Sequence, residues 1–188
     1  PVCENCSEYQ TLFPIEKFSS NTESLDIEAD NSEILSDKYL LNGGVEVNSS
    51  SLFLAADDVE VSPVDKSLLA TGDVRFQDQS YLISSDSLST SRDKNNDLMA
   101  TATNAYYQDY AVGLGGANGY SESISKTSTN VLLTNSTYSL CPVNENDWLI
   151  EADQINLNLA KNRGVAENAT IKFYGVPIFY SPKYSWVL

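Results

Sequence analysis

Apolar and polar residues alternate in short runs along the whole chain. Leu25/Ile27/Ala29, Val45/Val47, Val74/Phe76 and Ile171/Phe173 each place apolar side chains two residues apart, the spacing of a strand with one apolar face. Turn-forming clusters separate the runs: Asn31-Ser32, Ser36-Asp37-Lys38, Pro63-Val64-Asp65-Lys66, Arg92 to Asp97 and Lys161-Asn162-Arg163-Gly164. Gly43-Gly44 and Gly72 fall within or beside strands, where they are expected to bulge and bend the ribbon. No stretch requires a helix, and the pattern leaves room only for a short turn near Gln10 to Phe18.

The runs repeat. Leu25-Asp26-Ile27-Glu28-Ala29-Asp30 returns as Leu52-Phe53-Leu54-Ala55-Ala56-Asp57, as Tyr81-Leu82-Ile83-Ser84-Ser85-Asp86 and as Trp148-Leu149-Ile150-Glu151-Ala152-Asp153. A degraded copy is expected near Leu114 to Asn118, which gives anchors at 30, 57, 86, 118 and 153. Between anchors lies a second motif, seen at Leu41 to Val47, Leu69 to Phe76, Met99 to Tyr107 and Val165 to Phe173. Each copy is a strand pair of roughly 30 residues, too small to bury a core alone, so the copies must stack. The expected fold is all-β: one long antiparallel sheet folded over with its apolar faces inward. Either a dry sandwich or an open jelly roll with an interior groove satisfies the pattern. The recurring Asp residues read as turn or strand-end residues.

Composition narrows the function. The 188 residues carry 26 Asp and Glu against 11 Lys and Arg, a formal charge of −15, which argues against a nucleic-acid partner. The chain has no histidine, which removes the Ser-His-Asp triad, the Cys-His pair and His-ligated metals. Ser, Thr and Asn together number 53, suited to strands with a polar face and many turns. No run reaches 18 apolar residues and the N-terminus lacks an apolar leader, so an exported form is expected to have lost its signal. Cys3, Cys6 and Cys141 are an odd number, which suggests a partner cysteine elsewhere or a free thiol. Cys3-x-x-Cys6 is half a zinc site without its other half, so no metal and no cofactor are expected.

The end of the chain is more specific. Cys141-Pro142 followed by Trp148, and then Val176-Pro177-Ile178-Phe179-Tyr180-Ser181-Pro182, resembles the N-terminal periplasmic region of the lipopolysaccharide-assembly LptD family. The earlier copies resemble the OstA-type units that this region shares with LptA-like bridge proteins. The resemblance implies an OstA-type, taco-like β-jelly roll over residues 21–182. A cysteine-bearing segment (1–20) would precede it, and residues 183–188 would begin a connection to an outer-membrane barrel. It further implies a periplasmic domain of an outer-membrane protein, taking lipopolysaccharide from an LptA-like bridge. Its barrel would be accompanied by an LptE-like lipoprotein. In this family a cysteine near the mature N-terminus and one before the last repeat bond to the barrel. Cys141 matches the second, and either Cys3 or Cys6 the first.

Shared parity in successive copies is expected to place Leu25, Ile27, Leu52, Leu54, Ile83, Trp148, Ile150, Ile171 and Phe173 on one face, lining an apolar groove. The first strand, Ser24, Leu25, Asp26, Ile27, Glu28 and Ala29, has no preceding copy to pair with and is the expected docking edge for the bridge, unless residues 1–20 cover it. The opposite end, Ile171 to Tyr180, would then face the barrel. An alternative is an extracellular carbohydrate-binding or adhesive sandwich, with Tyr106, Tyr107, Tyr110 and Tyr120 stacking on sugars. An enzyme would need facing carboxylates, such as Asp57 with Asp58 or Asp30 with Asp153. Their recurrence at one position of a repeat argues against catalysis, and no enzymatic activity is expected.

Overall fold

The structure, a computed structural model, describes residues 10–20, 25–92, 97–111, 116–143 and 147–187. Twelve strands form one antiparallel sheet: β1 (Asp26–Glu28), β2 (Asn31–Ile34), β3 (Tyr39–Asn48), β4 (Leu52–Ser62), β5 (Ser67–Asp78), β6 (Tyr81–Arg92), β7 (Leu98–Asp109), β8 (Asn118–Lys126), β9 (Asn130–Tyr138), β10 (Trp148–Asn158), β11 (Arg163–Phe173) and β12 (Val176–Val187). From β3 onward every strand pairs with its neighbours in sequence. β1 and β2 pair with successive halves of β3, so they are one interrupted first strand. β12 runs through Val187, so the expected boundary between residues 182 and 183 falls inside a strand.

A column of kinks folds this sheet along its length. In every second strand a residue at mid-strand takes a positive φ: Gly43-Gly44 in β3, Gly72-Asp73 in β5, Asn104 in β7, Asn135 in β9 and Asn168 in β11. Gly, Asn and Asp are the residues that tolerate this left-handed conformation. A carboxylate on a neighbouring strand accepts a hydrogen bond at most of these kinks. Asp86 is bonded by Asn104 Nδ2 at 2.6 Å, Asp153 by Asn168 Nδ2 at 2.7 Å, and Glu122 by Asn135 Nδ2. At β3, Asn42 beside the kink bonds Asp58 at 2.7 Å. Asp57 packs so close to Gly72 that an added Cβ would lie 2.2 Å from its Oδ2.

These contacts correct two expectations. Asp57, Asp86 and Asp153 sit at mid-strand, at the crease, and not at turns or strand ends, whereas Asp30 lies in the break between β1 and β2. The fifth anchor is Glu122, in Ser121-Glu122-Ser123-Ile124, and not Asn118. The crease also shifts side-chain parity. The inward residues of β10 are Trp148, Ile150 and Ala152, then Ile155 and Leu157; those of β4 are Leu54 and Ala56, then Val59 and Val61. β3 and β5 each carry two positive-φ residues, and in them the parity of Leu41/Val45 and Ala70/Val74 is retained.

Bending the sheet presses its two half-faces together. Val45, Val74, Ala105, Ile155 and Ala166 are fully buried, and Leu54, Val59, Leu88, Ile124, Leu133 and Ile150 are nearly so. The crease line is built from small residues, Ala56, Ser85, Ala105, Ser121, Ser136, Ala152 and Ala169, which leave space for the tight bend. Strands that are not sheet neighbours keep their Cα atoms more than 8 Å apart, so the halves meet through side chains, as packed sheets do at about 10 Å.

Residues 10–20 cross the outer face of β3, β5 and β7. Gln77 accepts from Glu16 N and donates to Glu16 O, both at 2.9 Å. Gln108 accepts from Leu12 N and donates to Gln10 O at the same distance. Asn48 accepts from Ser19 N at 3.2 Å and donates to Lys17 O at 3.0 Å. These carboxamides give the strap the backbone partners that a strand would supply, and Phe13, Phe53 and Leu82 are buried on the same outer side. The described strap does not run along the free edge of β1, where self-coverage was the alternative. No helix occurs among the described residues.

Candidate functional site

The crease divides the sheet into two halves whose outer ends form two lips. One lip carries the β3–β4, β5–β6, β7–β8, β9–β10 and β11–β12 connections, and the other carries those between β2 and β3, β4 and β5, β6 and β7, β8 and β9, and β10 and β11. Lys126, at the second-lip end of β8, places its ammonium 4.8 Å from the centre of the Tyr81 ring and 3.9 Å from Asp78 Oδ2. Both partners stand on the first lip. Tyr138 of β9 meets Trp186 of β12 at 5.3 Å between ring centres, again across the lips. The halves therefore close with a stagger of two to three strands.

This stagger decides which apolar residues find cover. Leu54 and Ile150 join the buried cluster, and Ile83, Trp148 and Ile171 pack against it half-buried. Leu52 is half-buried outside the cluster. Leu25, Ile27 and Phe173 are 56%, 49% and 48% exposed, because they lie at the ends where the opposing half stops. At the β1 end Ile34 and Tyr39 are left bare on the second lip; at the β12 end Phe173 and Phe179 are left bare on the first. The nine residues expected to share one lining thus divide between an interior and two open ends. Ser24 lies outside the described residues, and Asp26, Glu28 and Ala29 occupy or follow the first strand. Sequence reasoning missed Val59, Leu88, Ile124, Leu133 and Ile155, which lie beyond the parity shift.

The aromatic groups in and around the interior are neutral. Tyr107 is buried, and burial, with Tyr138 beside it, pushes its phenol far above its ordinary range; its hydroxyl donates to Thr137 O at 2.8 Å. Tyr81 is raised chiefly by burial, then by the nearby Asp109 and Asp78 carboxylates. Burial also raises Tyr138, partly offset by the Trp186 indole beside it. Of the four tyrosines considered for sugar stacking, Tyr107 points inward and Tyr110 donates to Asp78 O at 2.6 Å. Tyr106 and Tyr120 lean on each other at 5.2 Å, and Tyr120 also bonds Asn104.

Cys141 is a buried free thiol. Its turn is fixed by Asn118 Nδ2 donating to Cys141 O at 2.5 Å and by Cys141 N donating to Ser139 Oγ at 3.0 Å. Cys3 and Cys6 lie outside the described residues. Among the described residues no group of three or more Cys, Asp or Glu side chains is placed to hold a metal ion.

Comparison with known proteins gives a consistent set of relatives. Residues 26–163 match the family described as LptA/(LptD N-terminal domain) LPS transport protein. The LPS-assembly protein LptD of Pseudoalteromonas atlantica is 28% identical over 97% of this chain and 24% of its own length. That of Shewanella oneidensis is 28% identical over 76% of this chain and 18% of its own length. The chain thus spans about a quarter or less of these relatives. Among solved structures, LptH of Pseudomonas aeruginosa, an LptA-homologous periplasmic component of a lipopolysaccharide transport device, aligns with a TM-score of 0.49 and 15% identity. That alignment covers 73% of this chain and 94% of the other.

Proposed function

Because the chain belongs to the LptA/(LptD N-terminal domain) family of LPS transport proteins, we propose that it conducts lipopolysaccharide between its two half-sheets, from a periplasmic LptA-like bridge towards an outer-membrane barrel. The observation that carries this reading is the form of the interior: a continuous apolar face, creased along its length and open at both ends, with Leu25 and Ile27 bare at one and Phe173 and Phe179 at the other. Acyl chains part the packed half-faces and take the place of their mutual contacts. Burying a methylene is worth about 0.8 kcal/mol, so one chain of roughly a dozen carbons gains on the order of 8–10 kcal/mol before ordering costs. Similar residues recur from rung to rung, so the gain changes little along the path and favours sliding over trapping. The −15 charge repels phosphates, which keeps the sugar and phosphate portion at the lips or in solvent.

The free edge of β1 receives the bridge by strand addition, and the β12 end faces the barrel with its LptE-like lipoprotein. Bonds from Cys141 and from Cys3 or Cys6 to barrel cysteines would hold the domain over the barrel entrance. The domain is then periplasmic in an outer-membrane protein and carries no enzymatic step. Binding of lipopolysaccharides that differ only in acyl-chain number tests the mode of recognition. Affinity should fall at least tenfold on removing one chain, and the delipidated saccharide should not bind. Equal binding of the saccharide would transfer recognition to the outer surface and contradict the reading.

A further inference from the structure

Among the described residues, backbone joins the half-sheets only along the crease. At the lips side chains hold the described strands together, because strands that are not sheet neighbours stay beyond 8 Å, Cα to Cα. Lys126, Tyr81 and Asp78 share the inward parity of Ile124, Ile83 and Phe76. They therefore form a charged and aromatic end to rows that are otherwise apolar. The ammonium lies over the Tyr81 ring at 4.8 Å and reaches Asp78 at 3.9 Å, while both charged side chains remain partly exposed. A half-exposed ion pair and a cation–π contact are weak and reversible.

A lipid with apolar chains and a large anionic headgroup cannot bury that headgroup between the half-faces. With its chains inside, the headgroup must project between the lips, and it must pass every contact that joins them. We propose that Lys126, Tyr81 and Asp78 form a clasp that parts for each lipid, with the ammonium exchanging Asp78 for the anionic headgroup as it passes. This rests on the transport reading above and assigns the Lys126 ammonium as a headgroup contact on the path. The clasp spans β5, β6 and β8, between Leu54 on β4 and Ile150 on β10, so the two sides of it can be observed separately.

The test uses the full-length protein that carries this chain, in cells. A photo-reactive residue replaces Leu54 or Ile150, in a background carrying Tyr81→Cys and Lys126→Cys. A bis-maleimide joins the new cysteines, and the two single-cysteine variants, treated alike, report any reaction of native thiols. Before joining, lipopolysaccharide should label from both positions. After joining, labelling from Leu54 should persist and labelling from Ile150 should fall at least tenfold. Unchanged labelling from Ile150 with the clasp joined would overturn the proposal. Absence of labelling from both positions before joining would remove the transport reading itself, and the clasp with it.

Discussion

Ile155→Asp should leave the domain unfolded or close to it. Ile155 is fully buried, beside Leu133 on β9 and Ala166 on β11. The substitution removes a buried aliphatic side chain, worth about 2–4 kcal/mol in lost burial and cavity. It also places a carboxylate within the apolar cluster, at a further cost of several kcal/mol. Domains of this size are stable by only about 5–15 kcal/mol, so most of that margin is lost. Asn156→Asp, one residue on and exposed, should stay within about 0.5 kcal/mol of the parent. Urea unfolding followed by far-UV circular dichroism checks both. Equal stability of the two variants would mean that the inward face is not the core.

Ile27→Pro should abolish bridge binding while the domain remains folded. β1 begins the sheet order, pairs with β3 on one side and, among the described residues, has no strand on the other. Edges are usually blunted by Lys, Pro or covering segments. Asp26 and Glu28 are the charges on this three-residue strand, and the strap crosses β3, β5 and β7 instead of running along it. Proline is tolerated at a sheet edge because the missing N–H costs the fold little, but it interrupts an incoming strand. Titration of the domain with the purified bridge should show at least a fiftyfold loss, with an unchanged circular dichroism spectrum. Normal affinity would place docking elsewhere.

Much of this architecture was legible in the sequence. The Ala/Ser-Asp recurrence and the period of two gave paired strands that must stack, and Gly43-Gly44 and Gly72 marked bends that the structure contains. The crease was not legible, because its acids were read one strand at a time. Asp86 and Asp153 have meaning only against Asn104 and Asn168 on the next strand, 15–18 residues away. The Glu122 copy was hidden because it replaces the shorter acid and its flanking residues are Ser. Missing the crease also hid the parity shift, so Val59, Leu88 and Ile155 were left out of the lining. Pairing each mid-strand acid with a following Asn or Gly would have found both. The strap had no local signal: Gln77 and Gln108 reach backbone 61 to 98 residues away. The stagger of the lips, which leaves Phe173 and Ile27 bare, follows from sheet twist and closure and not from any one residue.

The parity shift gives the central claim its most direct measurement. A photo-reactive residue is placed in turn at positions 148 to 157 of β10, and lipopolysaccharide adducts are counted at each. Transport between the half-sheets predicts labelling at Trp148, Ile150 and Ala152, a one-residue slip at the crease, then labelling at Ile155 and Leu157. Leu149, Glu151, Asp153, Gln154 and Asn156 should remain unlabelled. Labelling that follows the exposed residues instead, or that is uniform along the strand, would contradict passage through the interior.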